Sequence, residues 1–255
     1  MQNIRETENF FIPLHTIHFG IVCPMANESQ TAKSFVKEVL TICKDFNFHK
    51  ISFIIIVDKV STDSTLDILY KLSKTYKELK VIYAPENKSV VDAYLKGYLE
   101  ALKNNCDWIL EIDGGFSHLP KEIPNFINKM MENYDCVFGS RFCKGGQFIN
   151  TSFKRFLVSK IGTILTNFLL NTKLSDMTSG FEIFTNKSLS YVIKKGIKSK
   201  GPFFQTEVKI HAHNLHITEI PISYRSGSHN INKNTLVDAL KTLVHYFKMK
   251  EIIYE

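Results

Sequence analysis

Carboxylates, amides and basic residues recur just after short apolar runs in the first half of this 255-residue chain, and their types suggest a particular chemistry. Asn27 and Glu28 follow the run 17–24; Asp58 closes 51–58, with Asp63 shortly after; Asn87 and Lys88 follow 80–85; Asp113 closes 106–113, with Ser117 and His118 close behind; and Arg141 follows 134–140. A carboxylate at one strand end, facing a basic residue from the next, suits a diphosphate held with a divalent cation. The ion neutralises the phosphates, and a guanidinium adds charge-assisted hydrogen bonds. Asp58 and Glu28 would then accept hydrogen bonds from base or ribose. Each residue also has a plain structural reading, because Asx side chains at strand ends cap helices and close turns. The functional reading rests on their convergence. Competing chemistries lack their patterns: there is no GxGxxG after the first strand, no GxxxxGK[ST] and no GxSxG elbow.

For these residues to meet, the segments between them must alternate as strands and helices. The β-branched run ISFIIIVD (51–58) is the clearest strand, and 17–24, 80–85, 106–113 and 134–140 read likewise. Helices are predicted over 28–46, 61–78, 89–103 and 121–133, with Ser61 or Asp63 as an N-cap. Beyond residue 150 the pattern predicts an apolar helix with a basic start (152–170), a turn and short strand (178–185), a helix (203–214), a strand (216–224), a polar loop (225–234) and a final amphipathic helix (236–250). Such alternation predicts an α/β fold with a mostly parallel central sheet and helices on both faces. Right-handed crossovers would place the strand carboxyl ends on one edge, where ligands of such sheets bind.

Composition narrows the partners. The net charge of +7 and pI near 9.0 favour phosphorylated ligands, an anionic membrane surface or nucleic acid. Basic motifs interleaved with aromatics are missing, which disfavours nucleic acid. Five cysteines without a CxxC pair point to a reducing compartment and to no metal site built on sulfur. The opening MQNIRETENFF has no signal-peptide core and no run reaches 18 apolar residues, so neither secretion nor a membrane span is expected. Segment 152–170 has two readings. It is either a core-facing helix or a surface helix whose Lys154, Arg155 and Lys160 meet anionic headgroups while its Ile, Leu and Phe side chains enter the bilayer.

An ordered set of segments resembles the family 2 glycosyltransferases. CPMANES (23–29) resembles their PxYNE opening, IIIVDKVSTDST (54–65) their VVDDGSxDGT segment, and NKSVVDAYLKGYLEA (87–101) their NxGxxxAxxxGxxxA helix. EIDGGFSHLPKEIP (111–124) is similar to DADLSHPPE with its DxD motif, FGSRF (138–142) to GSRY, DMTSGFEIF (176–184) to DxTSGFR, and EIPISYR (219–225) to EVPIxFxxR. The set runs in order from about residue 16 to 248 and most resembles the dolichyl- or polyprenyl-phosphate mannosyltransferase branch.

That resemblance implies a GT-A fold and inverting transfer of a sugar from a nucleotide-diphosphate donor to a polyprenyl phosphate, in the cytoplasm or peripherally at the cytoplasmic face of a membrane. A soluble glycan or small-molecule acceptor, or a nucleotide-sugar-binding pseudoenzyme subunit, are the alternatives; the oligomeric state stays open. It implies a lead-in (1–15), a nucleotide-sugar-binding half (16–148) and an acceptor-side half of the same domain (149–255). Pro24, Asn27, Glu28, Asp58 and Asn87 would line the nucleotide; Asp113 and Arg141 would be catalytic; Asp113 and Ser117 would hold Mg²⁺ or Mn²⁺; and Lys154, Arg155, Arg225, His229 and Lys233 would bind phosphates or acceptor. Two positions depart from the pattern: Gly115 stands where DxD has its second Asp, and Lys59 where VVDDGS has its second Asp. Glu111, two residues before Asp113 and on the same strand face, offers a shifted acid pair but lies deeper in the strand.

Overall fold

The computed structural model describes residues 13–225 and 233–249. Strand β1 (His18–Pro24) sends Phe19, Ile21 and Cys23 to one face and Val22 to the other. In β2 (Lys50–Asp58), Phe53, Ile55 and Val57 likewise oppose Ile54 and Ile56. Strands apolar on both faces must lie inside a sheet covered on both sides. β3 (Leu79–Ala84) pairs parallel with β2, and β4 (Trp108–Glu111) parallel with β1. Helices α1 (Ala32–Lys44), α2 (Thr65–Ser73) and α4 (Ile123–Met130) cover the first face through Phe35, Val39, Leu69 and Phe126. α3 (Val90–Lys103) covers the second through Ala93, Tyr98 and Ala101, and starts at a capping box in which Ser89 and Asp92 each accept from the other's backbone N–H.

β5 (Cys136–Ser140), β7 (Glu182–Thr185) and β8 (Ile217–Pro221) complete a seven-stranded sheet of order β3-β2-β1-β4-β7-β5-β8. β7 alone runs antiparallel to its neighbours β4 and β5. Its start therefore lies at the edge where the other strands end, and this brings the loop 176–181 to that edge. α6 (Asn186–Lys195), α7 (Phe204–Ala212) and α8 (Lys233–Lys248) pack on the second face through Leu189, Phe204, Val208, Leu243 and Tyr246. A small parallel pair joins β6 (Gln147–Ile149) to β9 (Ser223–Arg225).

The one strand expected over 216–224 is thus two, in different sheets. Ile222 hands the chain from one to the other: its N–H donates to Ser140 O and its carbonyl accepts from Gln147 N–H. α6 and β6 were not foreseen, and three residues of β6 are too few to show a period. The helix expected from residue 28 begins at Ala32, because Asn27 takes a left-handed φ of 58° and turns the chain first.

α5 (Phe153–Leu170) is built the reverse of a core helix. Its buried residues are Thr163, Thr166 and Leu170, while Phe153, Ile164 and Phe168 face solvent, Phe168 at 81% exposure. The core-facing reading of this segment fails on that burial pattern. On α8, Leu236, Leu240, Val244 and Phe247 are exposed as well. Among the described residues no helix is long and apolar enough to cross a membrane.

Candidate active site

Asp113 lies just past the end of β4, half-exposed, with each carboxylate oxygen beside a fixed neighbour. The Tyr94 hydroxyl of α3 donates to Oδ1, and His118 Nδ1 stands 3.6 Å from Oδ2. The Asp113 backbone N–H points at His118 Nδ1 from 3.4 Å, which makes Nδ1 the acceptor and puts the imidazole proton on Nε2. Burial lowers His118 to about 4, outweighing the opposing pull of Asp113. The ring is therefore neutral, and the 3.6 Å approach is not an ion pair. Burial, then the charge of Asp113, push the Tyr94 phenol well up, so it remains a donor throughout the physiological range.

Arg141 emerges directly after β5. Its Nε and Nη2 clasp Asp176 at 2.7 and 2.8 Å, Nη2 also donates to Thr178 Oγ1 at 2.6 Å, and its backbone N–H reaches Asp176 at 3.1 Å. The guanidinium sits over Phe148 and Tyr224, at 4.8 and 5.2 Å from the ring centres. Burial works to raise the Asp176 carboxyl, but the charge and hydrogen bonds of Arg141 prevail and hold it at about 2. Arg141 is thus a charge fixed in direction. On α5, Arg155 Nη2 donates to the Tyr224 hydroxyl at 3.0 Å.

Tyr94, Asp113, His118, Arg141, Arg155, Thr178 and Tyr224 line one cavity of about 620 Å³. Asp113, His118, Arg141, Arg155 and Thr178 form its polar end; Ile161 and Leu165 of α5 and Leu236, Leu240 and Leu243 of α8 wall the rest. A cavity of this size, mostly apolar with a few convergent polar groups, is the form of a ligand site.

The model of "Glycosyl transferase family 2" matches residues 20–192. The chain belongs to glycosyl transferase family 2. Curated relatives include the polyprenol monophosphomannose synthase of Mycolicibacterium smegmatis, 24% identical over 84% of this chain and 79% of the relative, and the undecaprenyl-phosphate mannosyltransferase of Micrococcus luteus, 27% identical over 68% and 72%. Among solved structures, glucosyl-3-phosphoglycerate synthase of Mycobacterium tuberculosis with Mn²⁺, UDP and phosphoglyceric acid superposes with a TM-score of 0.61 at 13% identity, covering 91% of this chain and 78% of that one. Its complex with Mg²⁺ and UDP gives 0.60 at 15% identity over the same shares. These likenesses establish the GT-A fold.

Within this transferase the residues expected from sequence are placed as follows. Pro24 ends β1, and the Asn27 side chain is engaged by the next loop, donating to Val60 O at 2.9 Å and accepting from Thr62 N–H at 2.9 Å. Asp58 Oδ1 accepts from Val60 N–H at 3.0 Å. Asn27 and Asp58 therefore shape the two loops at the β1 and β2 ends. Asn87 is buried after β3, its Nδ2 without a hydrogen-bond partner among the described residues. The Ser117 carbonyl accepts from Arg225 N–H at 2.9 Å, tying the Asp113 loop to β9. Lys154 and Arg225 are exposed and do not line the cavity, whereas Arg155 does. His229 lies outside the described residues, as does the Lys233 side chain at the start of α8.

Tyr94, Asp176, Thr178 and Gln205 were not singled out from sequence. For Asp176 and Thr178 the segment DMTSGFEIF carried a signal, but their role depends on β7 running backwards. Glu111 is not a second acid of the site. It is fully buried, engaged by the Tyr98 hydroxyl and the Gln205 amide, and burial with the neighbouring Glu182 raises it well above the carboxylate range. Lys209 pairs with Glu182 beside it, so one lysine serves two neighbouring carboxyls.

Among the described residues no group of three His, Cys, Asp or Glu side chains could hold a metal ion unaided. Magnesium-type ions keep several waters and bind through one or two carboxylates plus the phosphates of a ligand. The half-exposed Asp113 on the cavity wall fits that requirement.

Proposed function

We propose that this chain transfers a hexosyl group, with inversion, from a nucleotide-diphosphate sugar to a polyprenyl phosphate, working at the cytoplasmic face of a membrane with Mg²⁺ or Mn²⁺ at Asp113. The observation that carries the acceptor is the cavity itself, whose apolar walls on α5 and α8 lead to Arg141 and Arg155. A prenyl chain suits the walls and its phosphate suits the cations. The names of the two mannosyltransferase relatives support the same acceptor class and make mannose the first sugar to try. The outward apolar side of α5, beginning beside Lys154 and Arg155, supports docking on a bilayer.

A polyprenyl phosphate is already an anionic nucleophile. One phosphate oxygen attacks the anomeric carbon while the bond from that carbon to the donor diphosphate breaks, and the electron pair leaves on the diphosphate. A single displacement of this kind inverts the centre and needs no general base. Arg141 and Arg155 position the acceptor phosphate, the Tyr94 hydroxyl holds the Asp113 carboxylate in direction while neutral His118 accepts from the Asp113 backbone N–H, and an ion held at Asp113 would supply charge neutralisation at the donor diphosphate. The alternative, a donor-binding subunit without turnover, is favoured by Gly115 and Lys59.

The test is transfer from radiolabelled GDP-mannose and UDP-hexoses to polyprenyl phosphate in vesicles and to soluble sugars. Labelled lipid should form, and Asp113→Ala should lower its rate by about a hundredfold or more. Product on soluble sugars alone sinks the lipid acceptor; nucleotide binding without any product supports the subunit reading.

A further inference from the structure

Gly115 leaves this transferase without the second acid of its family's DxD motif, yet the space above it is filled by another carboxylate. A Cβ built on Gly115 would overlap the carboxylate of Glu28, from the loop after β1. We infer that Glu28 supplies the second carboxylate of the divalent-metal and diphosphate site, reaching from that loop into the place vacated at Gly115. This rests on the nucleotide-sugar reading above and names how the site is completed.

The backbone of both partners is locked. The Glu28 N–H donates to Thr65 Oγ1 at 2.7 Å, and its carbonyl accepts from Ala32 N–H at 2.7 Å, fixing it to the start of α1. On the other side, Gly115 and Phe116 both hold left-handed φ values, 70° and 62°, and the Phe116 ring packs edge-on against Phe35 of α1 at 5.2 Å. A bulky residue in that region persists only where its surroundings impose it. A Cβ on Gly114 would likewise sit 3.4 Å from Pro24 O, so the loop after β4 rests directly on the loop after β1.

The carboxylate itself is half engaged. Thr31 Oγ1 donates to Glu28 Oε2, while Oε1, the oxygen nearest Gly115, meets no donor among the described residues. His118, 1% exposed, lines the cavity next to Asp113 and leaves Nε2 without a hydrogen-bond partner among the described residues. An N-terminal capping role for Glu28 uses its carbonyl and Oε2 and leaves the position of Oε1 unexplained.

The experiment is calorimetric titration of UDP and GDP into the full chain, with Mn²⁺ and with EDTA, alongside Mn²⁺ spin-resonance counting of bound ion. In the wild type Mn²⁺ should tighten binding. In Glu28→Gln that tightening should fall at least about tenfold, well beyond any loss of metal-free binding. Glu28→Ala combined with Gly115→Asp should recover part of it, since Asp tolerates a left-handed φ. Melting curves establish that the variants fold. Equal weakening with and without Mn²⁺ would place Glu28 on the nucleoside and overturn the inference, as would wild-type behaviour of Glu28→Gln or metal-independent binding by the wild type. If neither nucleotide binds the wild type, the donor reading falls and the inference with it.

Discussion

Arg141 shows how residue type and residue environment give different predictions. As an exposed arginine it would serve donor or acceptor phosphate alone. Its bidentate clasp on fully buried Asp176 gives it a second task. Removing one partner of a buried pair leaves the other charge uncompensated, at about 3–5 kcal/mol. Arg141→Ala should therefore lose stability as well as transfer, and Asp176→Asn should lose stability even without ligand. The sign with pH follows from the depressed carboxyl. Asp176 titrates at about 2 when folded and near the usual carboxylate value of about 3.9 when unfolded. Its contribution, about 2 kcal/mol, is present above about pH 4 and is lost as pH falls toward 2. Urea unfolding between pH 6 and 2 should show Asp176→Asn less stable at pH 6 and flatter below pH 4. An unchanged acid limb would remove Asp176 from that account.

At the scale of elements, α5 and β7 decide the most. α5 places threonines inward and phenylalanines outward, a pattern with no benefit in water alone. If this face enters a bilayer, each large side chain contributes about 1.5–3 kcal/mol on burial, roughly tenfold or more in partitioning. Ile164→Glu and Phe168→Glu should each weaken vesicle sedimentation by at least that factor, with melting temperature and nucleotide binding preserved. Vesicle binding equal to wild type would argue for another cover on this face. β7 contributes through direction. Because it runs against β4 and β5, the loop carrying Asp176 and Thr178 arrives at the edge where Asp113 and Arg141 stand. Its side chains complete the cavity without adding a strand to the parallel set.

For the whole molecule, the proposed membrane docking would draw on the net charge of +7 as well as on that apolar face. Basic residues near an anionic surface contribute about 1 kcal/mol each and are screened over a Debye length. Binding to vesicles containing anionic lipid should weaken as salt rises from about 50 to about 500 mM, whereas binding to neutral vesicles should hold, since burial of apolar surface is not screened. The same salt response on both vesicle types would assign the charge to solubility rather than docking.

Much of this was open to a reader of the residues. The continuous β-branched run ISFIIIVD and the alternation of such runs with amphipathic stretches specify the strands and their covering helices, because a strand apolar on both faces can only be buried. The polar residues after those runs, Asp113 and Arg141 above all, come to one edge because right-handed crossovers leave no other arrangement. Local sequence determines such features, since each depends on neighbours a few positions away. It does not determine the direction of β7, the transfer of the chain between sheets at Ile222, the outward face of α5, or the commitment of Arg141 to Asp176. Those depend on residues far apart in the chain competing for the same partners. Glu28 and Gly115 are the sharpest case: one position lacks a carboxylate, another 87 residues earlier brings one to the same place, and only the packing of their two loops makes them a pair.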